Sequence, residues 1–414
     1  MNAEILLRAL FDRAVAVADP MRSLGAYLPA KPAGRVVVIG AGKASARMAE
    51  AVEAVWGPCD GLVITRYGYA RACQGITIVE AAHPVPDQAG VTATHQMLDL
   101  LAGLGPDDFV LALISGGASA LLCAPRDPIT LAQKQAINAA LLASGAPIAQ
   151  MNTLRKHLSR VKGGQLAAAA YPARSLALII SDVPGDDPAF IGSGPTVAEP
   201  TTAADALAIA DKWAIPLPDA ARGALQSTTT VGASDPRLDR VQNIVIAATA
   251  QSLQAAAVMA TAQGCDVRLL GDALEGEARD VAVDHAKLAM QLAAQMRPGA
   301  NPMLLLSGGE LTVTRTGSGV GGPNAEYCLA LAIALQGHPR IHAIACDTDG
   351  VDGAAEVAGA VVTPTTLARF AGDAAQSLAQ NDAHGFFAAI GDQVITGPTL
   401  TNVNDFRAIL IKAP

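Results

Sequence analysis

A chain of 414 residues with 51% apolar side chains has material for two ordinary domains, each with its own core. A formal charge of −8 excludes a protein built to lie along a nucleic-acid backbone, and no run of about 18 uncharged apolar residues offers a membrane span. The six cysteines, at 59, 73, 123, 265, 328 and 346, form no close metal or redox pair, as expected of buried thiols in a cytoplasmic protein.

The opening residues, with Glu4, Arg8, Asp12 and Arg13 among apolar neighbours, read as an amphipathic helix rather than a leader. Short β-branched runs then alternate with Ala-rich stretches. Strands are expected at 35–39, 61–65, 76–80, 109–114 and 176–180, with helices such as 43–55 and 90–101 between them. Continuous apolar runs bounded by Gly or Asp suit parallel strands buried on both faces, so the alternation predicts an α/β sheet with ligands at its carboxyl ends. Pro, Ser, Thr and Asp cluster at 213–240 and periodicity is lost, which divides the chain into domains 1–235 and 236–414. Beyond it, strands are expected at 243–247, 266–270, 303–306, 311–314, 341–345 and 393–395, and helices at 252–263, 277–296 and 324–335. An SGG turn follows a strand in each half (115–117 and 307–309), which fits a site in a cleft between the domains.

Four segments of the first half, and a set in the second, have residues suited to chemistry. In VVVIGAGKAS (36–45) a strand meets a Gly-rich turn and a helix, where bare N–H groups can take phosphate; Gly42 and Lys43 are the candidates. Neither the dinucleotide fingerprint nor Walker A is completed, because Ser45 stands where the first needs Gly and Ala44 where the second needs Ser or Thr. LALISGGASALL (111–122) offers Ser115, Gly116, Gly117 and Ser119 in the same setting. NTLRKHLSRVKGGQLA (152–167) supplies Arg155, Lys156 and Lys162, able to screen phosphoryl and carboxylate charge unless they form a solvated face. LIISDVPGDDPAFIGSGPT (178–196) puts Asp182 and Asp186 after a strand, where a metal ligand or general base belongs, followed by Ser193 and Thr196. The second half adds Glu310, Asn324, Asp349 and Asp352, the last two as metal or nucleotide ligands. No lipase elbow, zinc-protease or protein-kinase motif occurs.

Taken in order, GAGKAS, AAHPVPDQAG, LISGGASALL, NTLRKHLSRVKGGQLA, SDVPGDDPAFIGSGPT, LSGGELTVT, GGPNAEY, DTDGVDG and GPTLTNVND resemble the glycerate 2-kinases of the MOFRL family, over residues 40 to 405. The resemblance implies an α/β protein: a Rossmann-like N-terminal domain with a mostly parallel sheet, a smaller α/β C-terminal domain, and an active site in the cleft between them. It implies ATP and Mg²⁺, D-glycerate as acceptor, and Lys43 as the functional lysine of the first motif. The family arginine of GGRNQE is Pro323 here, and its Gln is Ala325, so the second half of the site departs from the pattern. Small-molecule substrates are the expected partners, with neither nucleic acid nor membrane; a homodimer is left open. Two rival readings stand beside the kinase: an NAD(P)H-dependent hydroxypyruvate reductase, a label used in this branch, and a non-catalytic sugar-acid-binding protein.

Overall fold

The computed structural model describes residues 2–226 and 230–414. The first sheet has the strands β1 (Val36–Ala41), β2 (Asp60–Arg66), β3 (Ile76–Ala81), β4 (Phe109–Ile114), β5 (Arg174–Ile180) and β6 (Val241–Ala247). Its order is β3-β2-β1-β4-β5-β6, and β1 to β5 run parallel. All six residues of β1 and of β4 are buried, as their unbroken apolar sequences predict. The strand order reverses between β1 and β4. Chain leaving their carboxyl ends in opposite directions opens a crevice there, and the two Gly-rich turns follow those two strands.

The second sheet contains β7 (Asp266–Gly271), β8 (Met303–Gly309), β9 (Ile341–Asp347), β10 (Gly359–Val362), β11 (Gln393–Val394) and β12 (Asp405–Ile411), in the order β11-β10-β9-β12-β8-β7. It is mixed: β7 and β8 are parallel, while β12 runs antiparallel to both β8 and β9. The helix Pro323–Leu335 is buried nearly all round and packs among Ala-rich neighbours.

The chain forms two compact units, and their limits differ from the expected 1–235 and 236–414. One comprises Pro20–Asp182 and Asp186–Ile246; the other comprises the residues up to Asp19, Val183–Gly185 and Ala247–Pro414. The opening helix Ala3–Ala18 belongs to the second because its apolar face, Leu6, Leu7, Leu10 and Phe11, is buried with Leu253 and Phe406. Phe11 and Phe406 stack at 6.0 Å between ring centres. Residues 241–247, expected to open the second domain, instead complete the first sheet as β6. The expected boundary segment includes 227–229, which lie outside the described residues. The strand expected at 311–314 does not form: Gly309 (φ +100°) turns the chain out of the sheet, and Thr312 makes only an isolated bridge to Glu277. Among the described residues no helix is long and apolar enough to cross a membrane.

Candidate active site

The turns after β1 and β4 are fastened to each other. Lys43 N donates to Gly116 O at 2.8 Å, and Ala44 N donates to Ser115 Oγ at 3.0 Å. Ser45 Oγ donates to Leu113 O at 2.9 Å and lies 3.1 Å from Ser115 Oγ. Ser45, which breaks the dinucleotide fingerprint, is therefore a clasp between the strands. Ser115, expected to meet ligand, is wholly buried in the same clasp. Gly42 (φ +140°) admits no side chain, since a Cβ would collide with Ser115 Oγ. Gly117 (φ +81°) faces the His83 ring and the Lys43 side chain; a Cβ there would sit 3.1 Å from His83 Cδ2 and 3.3 Å from Lys43 Cγ. Among the described residues no acceptor takes the N–H of Gly116 or Gly117. Adjacent backbone N–H groups left in this way form a cradle for an anion, with a lysine beside it.

The basic run divides by environment. Lys156 is paired with Glu199 at 2.8 Å, both nearly buried. Burial pushes the Glu199 carboxyl up, but Lys156 and the hydroxyl and N–H of Thr201 outweigh it and hold the group below its ordinary value. Glu199, 43 residues from Lys156, had no spacing signal in the sequence. Lys162 Nζ donates to Ser119 O (2.9 Å) and Gly192 O (3.2 Å), tying the SGGAS turn to the SGPT loop. Ser119 Oγ and Ser193 Oγ are 2.9 Å apart, and Ser193 Oγ donates to Asn152 Oδ1 at 3.4 Å. Arg155 Nη1 reaches the same Asn152 oxygen at 3.5 Å. Thr196 Oγ1 is held by Asn243 Oδ1 at 2.5 Å, which makes it a loop anchor.

Asp182 and Asp186 follow β5 and are half-buried; Asp186 takes a left-handed conformation (φ +56°) that Asp tolerates. Asp187 Oδ1 accepts from Ala189 N at 2.9 Å. Among the described residues no three His, Cys, Asp or Glu side chains gather to hold a metal. Magnesium carried by a nucleotide needs only one or two carboxylates besides phosphate oxygens, and Asp182 and Asp186 fit that demand.

In the C-terminal unit the expected residues meet a different fate. Asp352 caps the helix Pro323–Leu335: Oδ1 accepts from Asn324 N (3.0 Å) and Oδ2 from Ala325 N (2.8 Å). His384 Nε2 lies 3.1 Å from Oδ2 without the alignment of a hydrogen bond. These contacts give Asp352 a capping role on the helix beside the metal role expected of it. Asp349 Oδ1 accepts from Val351 N at 2.8 Å, closing a turn at the expected ligand position. Asn324 Nδ2 donates to Asp405 Oδ1 at 2.6 Å, and Glu310 is exposed after β8. Pro323 occupies the first helical position, where its fixed φ and missing N–H suit the helix.

The centre of this network is Arg407, which the sequence reading missed although a lone Arg in DFRAILI is itself a signal. It is 1% exposed and donates to Asp405 Oδ2 (2.8 Å), Gly308 O (2.6 Å) and Ser307 Oγ (3.4 Å). It thus shapes the second SGG turn. Burial pushes the Asp405 carboxyl up, against the opposing pull of Arg407 and Asn324. Arg407 also lies over the Tyr327 ring (5.9 Å), whose hydroxyl meets His285 Nδ1 at 2.8 Å.

A sheet of this strand order, with glycine N–H groups and a lysine at its reversal point, defines an α/β protein that handles phosphate. A family described as a domain of unknown function, DUF4147, matches residues 6–226, and the MOFRL family matches residues 303–405. The chain belongs to the glycerate 2-kinase family that carries these two domains. It is 36% identical to a D-glycerate 2-kinase of Thermotoga maritima over 97% of each chain. It is 51% identical, over 99% of its own length and 95% of the other's, to an Agrobacterium vitis protein provisionally named a hydroxypyruvate reductase. A crystal structure of a glycerate kinase from Thermotoga maritima superposes with a TM-score of 0.89 at 34% identity, covering 99% of each chain.

Proposed function

We propose that the protein is an ATP-dependent glycerate 2-kinase, transferring the γ-phosphoryl group of ATP to the C2 hydroxyl of D-glycerate to give 2-phosphoglycerate and ADP. The observation that carries this reading is the pair of unaccepted N–H groups of Gly116 and Gly117 beside Lys43, at the reversal point of the first sheet. Phosphoryl transfer asks for positioning and charge neutralisation more than covalent chemistry. The glycine N–H groups hold phosphate oxygens without reorganising, and the Lys43 ammonium meets the charge on the moving group. As the C2 oxygen bonds to phosphorus, the bond from phosphorus to the ADP oxygen breaks, and one of Asp182 and Asp186 takes the hydroxyl proton. The other would hold Mg²⁺, which would neutralise phosphate charge when bound with the nucleotide.

The strand order is one shared with dinucleotide-binding sheets, which keeps the reductase reading open to test. Against it, Ser45 occupies the third glycine position and its hydroxyl is committed to Leu113 O. Two assays on one preparation decide: D-glycerate with Mg·ATP, and hydroxypyruvate with NADH or NADPH, products resolved by NMR. ADP and 2-phosphoglycerate should form only with Mg²⁺ present. Cofactor oxidation saturating in hydroxypyruvate, with no ADP from glycerate, would make it a reductase. Turnover in neither assay would leave a sugar-acid-binding protein.

A further inference from the structure

Lys134 and Asn138 stand one turn apart on the helix Leu131–Ala143. Lys134 is 4% exposed and its Nζ has no hydrogen-bond partner; Asn138 Oδ1 is equally buried and equally without one. The neighbouring positions on that face, Ile137 and Leu141, are core residues, so packing alone would be served by another apolar side chain. Lys134 and Lys162 are close enough to Arg155 to feel its charge, and Lys162 feels that of Lys134. Lys162, 2% exposed, gives protons only to the two main-chain oxygens Ser119 O and Gly192 O. Among the described residues no carboxylate pairs with Lys134, Arg155 or Lys162, whereas Lys156 has Glu199. A buried cation without a counter-charge is costly, and a group of three with one unpaired acceptor beside them lacks an anion. Burial, helped by the neighbouring cations, brings Lys134 down to about 8 and Lys162 to about 7, which an anion would reverse.

We propose that Lys134, Arg155 and Lys162 receive the carboxylate of a small hydroxy acid, with Asn138 Oδ1 accepting a proton from one of its hydroxyls. That this acid is the phosphoryl acceptor rests on the kinase reading. The cluster is linked to the helix start just after the first SGG turn through a chain of contacts: Arg155 to Asn152, Asn152 to Ser193, Ser193 to Ser119. A carboxylate held there would lie on the side of Ser119, two residues past the glycine N–H groups.

The experiment compares wild type with Lys134→Met, which keeps volume and removes charge, and with Lys134→Gln should the first fail to fold. Steady-state kinetics and thermal shifts are measured, the latter without nucleotide, in D-glycerate and in inorganic phosphate. The KM for D-glycerate should rise roughly tenfold or more while that for ATP stays within about twofold, and stabilisation by D-glycerate should disappear. Unchanged glycerate KM and stabilisation in a folded variant overturns the proposal. So does a rise confined to the ATP KM, or Lys134-dependent stabilisation of wild type by phosphate and not by D-glycerate. If wild type makes no ADP yet D-glycerate stabilises it through Lys134, the carboxylate site stands and the kinase reading falls.

Discussion

Lys43 gives its main-chain N–H to Gly116 and keeps its side chain alongside Gly117, so removing the side chain spares the clasp between the two turns. Lys43→Ala should therefore lower kcat/KM by roughly 10²-fold, on the order of 3 kcal/mol of transition-state stabilisation, with the melting temperature nearly unchanged. Activity within about threefold of wild type would make it an ordinary turn residue. Asp182→Asn and Asp186→Asn separate proton acceptor from metal ligand. The metal-binding position should recover in part at raised Mg²⁺, and the other should not; Asn tolerates the left-handed backbone at 186, so that substitution leaves the loop intact. At this scale the sequence named segments better than roles. It singled out Lys43 and the glycines, because glycine and charge in a strand-end turn suit phosphate, although an ordinary βα turn with a solvated lysine shows the same pattern. It could not tell that Ser115, Lys156 and Thr196 are bound internally, because their partners Ala44, Glu199 and Asn243 are brought to them only by tertiary folding.

Strands set where those partners fall. The long apolar runs of β1, β4 and β5 were legible because a strand buried on both faces needs no context. β10 and β12 were not: β10 is only four residues of AV-type sequence, and the run forming β12 carries Asp405 and Arg407, charges that reconcile with burial only once paired with each other on one face of the strand. That pairing makes a stability prediction. Arg407→Met leaves Asp405 buried without its partner and should cost about 3–5 kcal/mol in urea unfolding; adding Asp405→Asn should return part of the loss. The same network carries a pH dependence. Burial, with the Arg407 charge, lowers His285 to about 4, so below its usual 6.5 the unfolded chain binds a proton that the folded one refuses. Stability present above pH 6.5 should fall away as pH drops towards 4, by at most on the order of 3 kcal/mol. His285→Gln should flatten the curve of unfolding midpoint against pH over that window.

For the molecule as a whole, the chain's two ends share one core. Deleting residues 2–18 removes Leu7, Leu10 and Phe11 from the core that holds Phe406, each contributing about 1.5–3 kcal/mol. The unfolding midpoint of the C-terminal unit should drop by roughly 10 °C or more in calorimetry, while the transition of the unit around β1 to β6 stays in place. The arrangement also sets an order of events during synthesis. The helix Ala3–Ala18 leaves the ribosome about 230 residues before the helix Thr249–Ala262 that it packs on, an interval of roughly 10–50 s at ordinary elongation rates. By the end of that interval the β1–β6 unit is complete and can close on its own, but until then the apolar face of the first helix has no native surface to cover it. This helix, made well before its partner, is thus among the last segments to find its place, and its window of exposure is where a chaperone, or an aggregating neighbour, would meet the nascent chain.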